Sequence, residues 1–110
     1  MEVSGAENRV GTVFIYEMFG TALFVYSIFL TNNPISISFS LFASILLFGA
    51  ITGGHFNPAV TLGVYISEAK WQKNLSWLAL VILAQLIGGF VAIGLTEITL
   101  FETSVGDIAS

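Results

Sequence analysis

Cysteine is absent from the 110 residues, histidine occurs once and proline twice. Without thiols the chain can build no disulfide framework, no iron-sulfur cluster and no thiolate zinc site, and one imidazole leaves few ways to hold a transition metal. No metal, redox group or other cofactor is expected. Charge is scarce too: charged residues make up 9% of the sequence, against about 25% in an ordinary soluble domain. Arg9, Lys70 and Lys73 are the three basic residues, and seven acidic ones bring the net charge to −4. No basic stripe is present to neutralise phosphates, so nucleic-acid binding is excluded. No carboxylate pair, Ser/His/Asp arrangement or phosphate-cradling loop occurs at a usable spacing, so the residues name no catalytic group and no enzyme.

What the chain has instead is apolar length. Hydrophobic residues are 55% of the sequence and the mean hydropathy is +0.91, which indicates an all-α membrane protein. Residues 11 to 30 carry a single charge, Glu17, and at about 1.5 Å per residue they cover about 30 Å, one hydrocarbon thickness. A cleaved signal peptide is the rival reading. Its apolar core would be about 7 to 15 residues behind a basic start, whereas here Glu2 and Glu7 precede the lone Arg9. Thr31-Asn32-Asn33-Pro34 breaks the first helix, because a residue before proline is pushed out of the helical region and asparagine favours turns. A second uncharged run, residues 35 to 51, is followed by a third spanning segment at 75 to 95. Residues 1 to 10 form a short leading segment, and 96 to 110, with Glu97, Glu102 and Asp107, read as a polar tail without strong periodicity.

Between the second and third runs lies Thr52-Gly53-Gly54-His55-Phe56-Asn57-Pro58-Ala59-Val60-Thr61. Asn57 before Pro58 is a helix-start signal, with asparagine as N-cap and proline at the first helical position, where its missing N–H costs nothing. The helix it opens, about 58 to 67, is apolar but reaches only about 15 Å, half a bilayer. The carbonyls of Gly53, Gly54, His55 and Phe56 and the first N–H groups of that helix need polar partners that lipid cannot supply. Irregular backbone at membrane depth is tolerated only inside protein or along a hydrated cavity, so residues 52 to 67 read as a re-entrant loop and half-helix beside a wet path. A surface loop followed by an interfacial helix is the alternative.

Charge sets the orientation. If the half-helix enters and leaves on one side, Arg9, Lys70 and Lys73 all fall on the N-terminal side, and the positive-inside rule puts the N-terminus in the cytoplasm. The sequon Asn74-Leu75-Ser76 then faces the cytoplasm and stays unmodified. Glu68, Lys70 and Lys73 with Trp71 and Trp77 read as a wet loop with aromatics at headgroup level. In the third span Ala84, Gly88 and Ala92 recur every four residues, a small-residue face that admits a second helix backbone, although small residues are common in membrane helices. Glu17 is a functional candidate because burying an ionisable group is costly. Satisfying backbone is its favoured role over proton carriage, and His55 is read as hydrogen-bonded beneath the loop.

The run from Thr52 to Thr61 resembles the first Asn-Pro-Ala loop of the aquaporin, or major intrinsic protein, family. Glu17-Met18-Phe19-Gly20-Thr21 resembles that family's E-x-x-G-T, and Ala84-Gln85-Leu86-Ile87-Gly88-Gly89 its A-Q-x-x-G-G. The resemblance covers residues 11 to 95 and corresponds to the first half of such a channel: three transmembrane helices plus one re-entrant half-helix, one of two inverted repeats. It implies a passive conduit for water or small neutral solutes. The Asn57 amide would be donor at the midplane, and Gly53, Gly54, His55 and Phe56 would offer a carbonyl ladder. Asn57, Pro58 and Ala59 form the motif itself, Glu17 would be a buried carboxyl pairing with re-entrant backbone, and Gln85 an inter-helix partner.

Counting back from Asn57, Ile37 falls where water-selective members carry an aromatic filter residue; alignment on Phe42 or Phe39 changes that assignment. The second loop, its arginine and three further spans are absent from these residues. The expectation is a truncated or incomplete pore that needs a second half-channel or a channel homologue. Two copies would have to insert in opposite senses, which the one-sided basic residues oppose. The alternative is a non-conducting membrane subunit that associates with a full-length channel through the Ala84, Gly88, Ala92 face.

Overall fold

The computed structural model describes residues 9–68 and 75–109. The architecture is all-α, as the apolar runs require: α1 (Val10–Thr31), α2 (Pro34–Thr52), the short α3 (Pro58–Ser67) and α4 (Leu75–Ala109). Three of these helices are long and apolar enough to cross a membrane, and the ten-residue α3 is not.

The turn between α1 and α2 follows from three residues. Asn32 takes the left-handed conformation (φ 46°), and its N–H closes α1 on the Ile28 carbonyl at 3.0 Å. Asn33 is extended, and its side chain accepts from the N–H groups of Ile35 and Ser36, both at 3.0 Å. Pro34 occupies the first turn of α2, where a missing N–H is harmless. Two asparagines and a proline thus reverse the chain within two residues outside helix.

α1 is the centre of the bundle, with α2 on one side and α4 on the other. Against α4 the approach is close: a Cβ at Gly88 would run into the Met18 carbonyl oxygen. Ala84 and Ala92 are buried on the same face. The small-residue stripe is therefore filled from within, by α1, and offers no free surface for a separate channel subunit. Farther along, Tyr26 and Thr99 share a hydrogen bond of 2.8 Å between the two helices. Against α2, Ser44 donates to the Gly20 carbonyl at 3.3 Å, and Tyr16 and Phe48 stack with tilted rings 5.3 Å apart. Large apolar side chains such as Phe39, Leu46, Phe90 and Ile98 are exposed, as a lipid-facing surface requires.

Two expectations are revised. Trp77 does not sit in a wet loop: it lies in the first turn of α4, 2% exposed, packed with Val13 and Val81. Trp77 and Val81, four apart, share the helix face that meets α1. Trp71, Lys70, Lys73 and Asn74 lie outside the described residues. The third long helix also does not stop where its apolar run ends, but continues through Thr96 to Ala109. No proline interrupts it. Thr96, Thr99 and Thr103 each donate to the carbonyl four residues earlier at 2.8 to 2.9 Å, so their hydroxyls are satisfied in helical geometry.

Candidate functional site

The backbone between α2 and α3 cannot be helical. Gly53 (φ 94°) ends α2 with its N–H on the Gly49 carbonyl at 2.8 Å. Gly54 (φ 70°) stays left-handed, held by the Thr52 hydroxyl, which accepts its N–H at 2.9 Å. Phe56 is left-handed as well (φ 51°), a conformation that costs a residue with a side chain about 1–2 kcal/mol. Two contacts with α1 offset that cost. Its N–H donates to Glu17 Oε1 at 2.9 Å, and its ring, 1% exposed, lies against Gly20. Among the described residues the carbonyls of Gly53, Gly54, His55 and Phe56 accept no hydrogen bond.

Asn57 then returns to extended backbone (φ −159°) and caps α3, its Oδ1 accepting the Ala59 N–H at 2.7 Å. With the oxygen committed to the cap, the Nδ2 hydrogens are what the exposed side chain has to offer. Pro58 fills the first position of the half-helix.

Beneath the loop lies a buried polar cluster. Gln85 Nε2 donates to Glu17 Oε1 at 2.9 Å and to Thr61 Oγ1 at 2.7 Å, which ties α4 to α1 and α3 at once. Thr61 Oγ1 is also 3.2 Å from the Asn57 carbonyl and 2.9 Å from His55 Nδ1. His55 is 4% exposed and meets Trp77 edge-on, ring centroids 5.9 Å apart. Its imidazole therefore belongs to the support under the loop, and only its backbone is available to a path. Glu17, Gln85 and Thr61 each meet a partner on another element, while Glu17 Oε2, Gln85 Oε1 and His55 Nε2 are buried without a hydrogen-bond partner among the described residues.

Depth follows from the anchor points. Glu17 is seven residues into α1, about 10 Å along the helix, and Thr21 is near its middle. A groove of about 390 Å³ between α1 and α4 is lined by Thr21, Gln85, Phe56, Asn57, Pro58 and Phe90, among others. The loop apex and the start of α3 thus lie at mid-helix depth and open onto a lateral cleft.

The structure brings Glu17, Gln85, His55, Phe56 and Asn57 together, with Gly53 and Gly54 half-buried beside them. Ile37 is half-buried in the first turn of α2 and is not part of the groove lining; Phe39 and Phe42 line a separate groove on α2. Sequence reasoning gave no role to Thr61, Thr21 or Gly20. Thr61 could have been found as the residue four beyond the cap, hence on the same helix face. Gly20 and Thr21 lie one turn beyond Glu17 on its own face.

The profile of the major intrinsic protein family matches residues 30–110. The chain belongs to the major intrinsic protein family. An aquaglyceroporin of Toxoplasma gondii is 45% identical over 58 residues, covering 53% of this chain and 21% of that protein. Probable aquaporins of TIP type from Medicago sativa and Medicago truncatula are each 33% identical over 106 residues, covering 86% of this chain and 41% and 40% of theirs. The chain therefore spans less than half the length of these curated relatives. No solved structure matches it. As a member of the major intrinsic protein family, with three apolar helices of spanning length, the chain is a multi-pass membrane protein of a channel family and not an enzyme.

Proposed function

We propose that this chain forms one wall of a passive transmembrane conduit for water or small neutral solutes. The observation that carries the reading is the loop apex: Asn57 reaches a mid-depth groove while Glu17 and Gln85 hold the backbone behind it. In this reading the Asn57 Nδ2 donates to a passing solute oxygen, and the carbonyls of Gly53, Gly54, His55 and Phe56 accept from it in turn. A row of fixed acceptors and one donor replaces bulk-water hydrogen bonds without offering a charge, which suits a neutral solute. The names of the relatives, aquaglyceroporin and aquaporin, support water- or glycerol-sized cargo.

The wall opposite Asn57 is not supplied by α1 to α4. A complete conduit on this reading needs a second half-channel or a channel homologue whose surface closes the cleft between α1 and α4. Arg9, Lys70 and Lys73 support a cytoplasmic N-terminus.

The test is osmotic shrinkage of proteoliposomes, followed by stopped-flow light scattering, with the chain alone and with a second half-channel added. Permeability above that of empty vesicles, abolished by Asn57→Asp, is the expected result in at least one of the two preparations. Baseline permeability in both would sink the conduit reading.

A further inference from the structure

We propose that Gly20 and Phe56 form a size-matched pair that sets how far the Asn57 amide projects, and so act as positioning residues for solute selection; this rests on the conduit reading above. Gly20 sits three residues after Glu17, so one turn of α1 presents first an acceptor for the Phe56 N–H and then a surface without a side chain for its ring. A Cβ at Gly20 would fall inside van der Waals contact with three ring carbons, 2.7 Å from Cζ. On its other side the ring lies beside a second glycine, Gly54, where a Cβ would stand in ordinary van der Waals contact with Cε2 at 3.8 Å. The notch is itself held in place: the Gly20 carbonyl accepts the Ser44 hydroxyl of α2.

Phe56 is also the residue immediately before Asn57, and it is in left-handed backbone. A methyl group at Gly20 requires the Phe56 ring to move, and the backbone that carries the ring is tied by its N–H to Glu17 on the same turn of α1. The displacement passes to Asn57 and the start of α3. Solute selection would follow, because a donor that stands farther into the path, or farther back, changes the clearance for a triol relative to water.

The chain's lack of cysteine makes position directly measurable. Ala59→Cys puts a single thiol on the exposed first turn of α3, and its labelling rate by a small methanethiosulfonate reagent in proteoliposomes reports where that turn sits. Adding Gly20→Ala should shift the rate by about tenfold, and adding to that variant Phe56→Leu, smaller than the ring and not β-branched at this left-handed position, should return it to within about threefold. Gly94→Ala, where no atom lies within 4 Å of the new Cβ, should leave the rate unchanged. Should Gly20→Ala fail to insert, Phe56→Leu alone, which leaves the notch partly empty, must still shift the rate. An unchanged rate in both single variants, or a Gly20→Ala rate that Phe56→Leu does not restore, overturns the pair. None of these readouts requires conduction, so baseline osmotic permeability would remove the conduit and leave the pairing to be judged on labelling. Where the vesicles do conduct, the glycerol-to-water permeability ratio, which is independent of how many channels folded, should move with Gly20→Ala and return in the double variant.

Discussion

α1 and α2 are near twins in composition and length, yet they do different work. α1, 22 residues long, buries Val13, Glu17, Gly20 and Thr21. α2, 19 residues long, buries only Ser44 and Thr52, and leaves Phe39, Phe42, Leu46 and Leu47 exposed. Their mean hydropathies, 1.8 and 2.1, are close, so hydropathy barely tells them apart. The difference is a polar and small-residue face on α1 that has two helices and a loop to satisfy. In a solvent of hydrocarbon, leucine on leucine gains little by association, and shape together with hydrogen bonds decides which side of a helix turns inward.

The sharpest way to break the contrast is to remove its polar centre. Glu17→Ala leaves the Phe56 N–H and one Gln85 N–H without their acceptor, and should cost about 3 kcal/mol or more, read as a lowered unfolding midpoint in detergent titration. A smaller effect is expected where shape alone is at stake. Gly88→Val drives a side chain into the Met18 carbonyl and should cost about 1–3 kcal/mol; separation of α1 from α4 can be followed by crosslinking of cysteines introduced at Tyr26 and Thr99. Thr61→Val keeps the volume and deletes the hydroxyl shared by Gln85 and His55, for about 1–2 kcal/mol, measured in the same titration. At the far end of the scale, Leu46→Ala on the open face of α2 should stay within about 0.5 kcal/mol. A large effect there would mean that this face is covered and that the contrast between the two helices is wrong.

Much of the site was legible because its residues announce their chemistry. Asn57 and Pro58 spell a helix start, Glu17 is the one carboxylate in an apolar run, and Gln85 is the one amide in another. The all-α fold with a half-length helix followed from run lengths alone. What escaped was convergence. Thr61 looks like any threonine in a short helix until α3 swings it beneath the loop to meet Gln85. Gly20 is one of 11 glycines, and nothing in one dimension says that an aromatic ring 36 positions later needs its empty flank. Trp77 was misjudged because tryptophan near a chain of charges suits a headgroup layer, whereas the decisive fact is its one-turn spacing from Val81. The extension of α4 went unread because threonines that are indifferent helix formers in isolation close back on their own carbonyls.

The Thr61 hydroxyl carries a single hydrogen but has two oxygen or nitrogen neighbours that can take it, the Asn57 carbonyl and His55 Nδ1. Both hydrogens of the Gln85 amide are already spent, one of them on Thr61 itself. If the hydroxyl turns to the carbonyl, the imidazole must carry its own hydrogen on Nδ1; if it turns to the ring, that nitrogen must be bare. The orientation of one hydroxyl and the tautomer of the chain's one histidine are thereby coupled, with every heavy atom left where it stands.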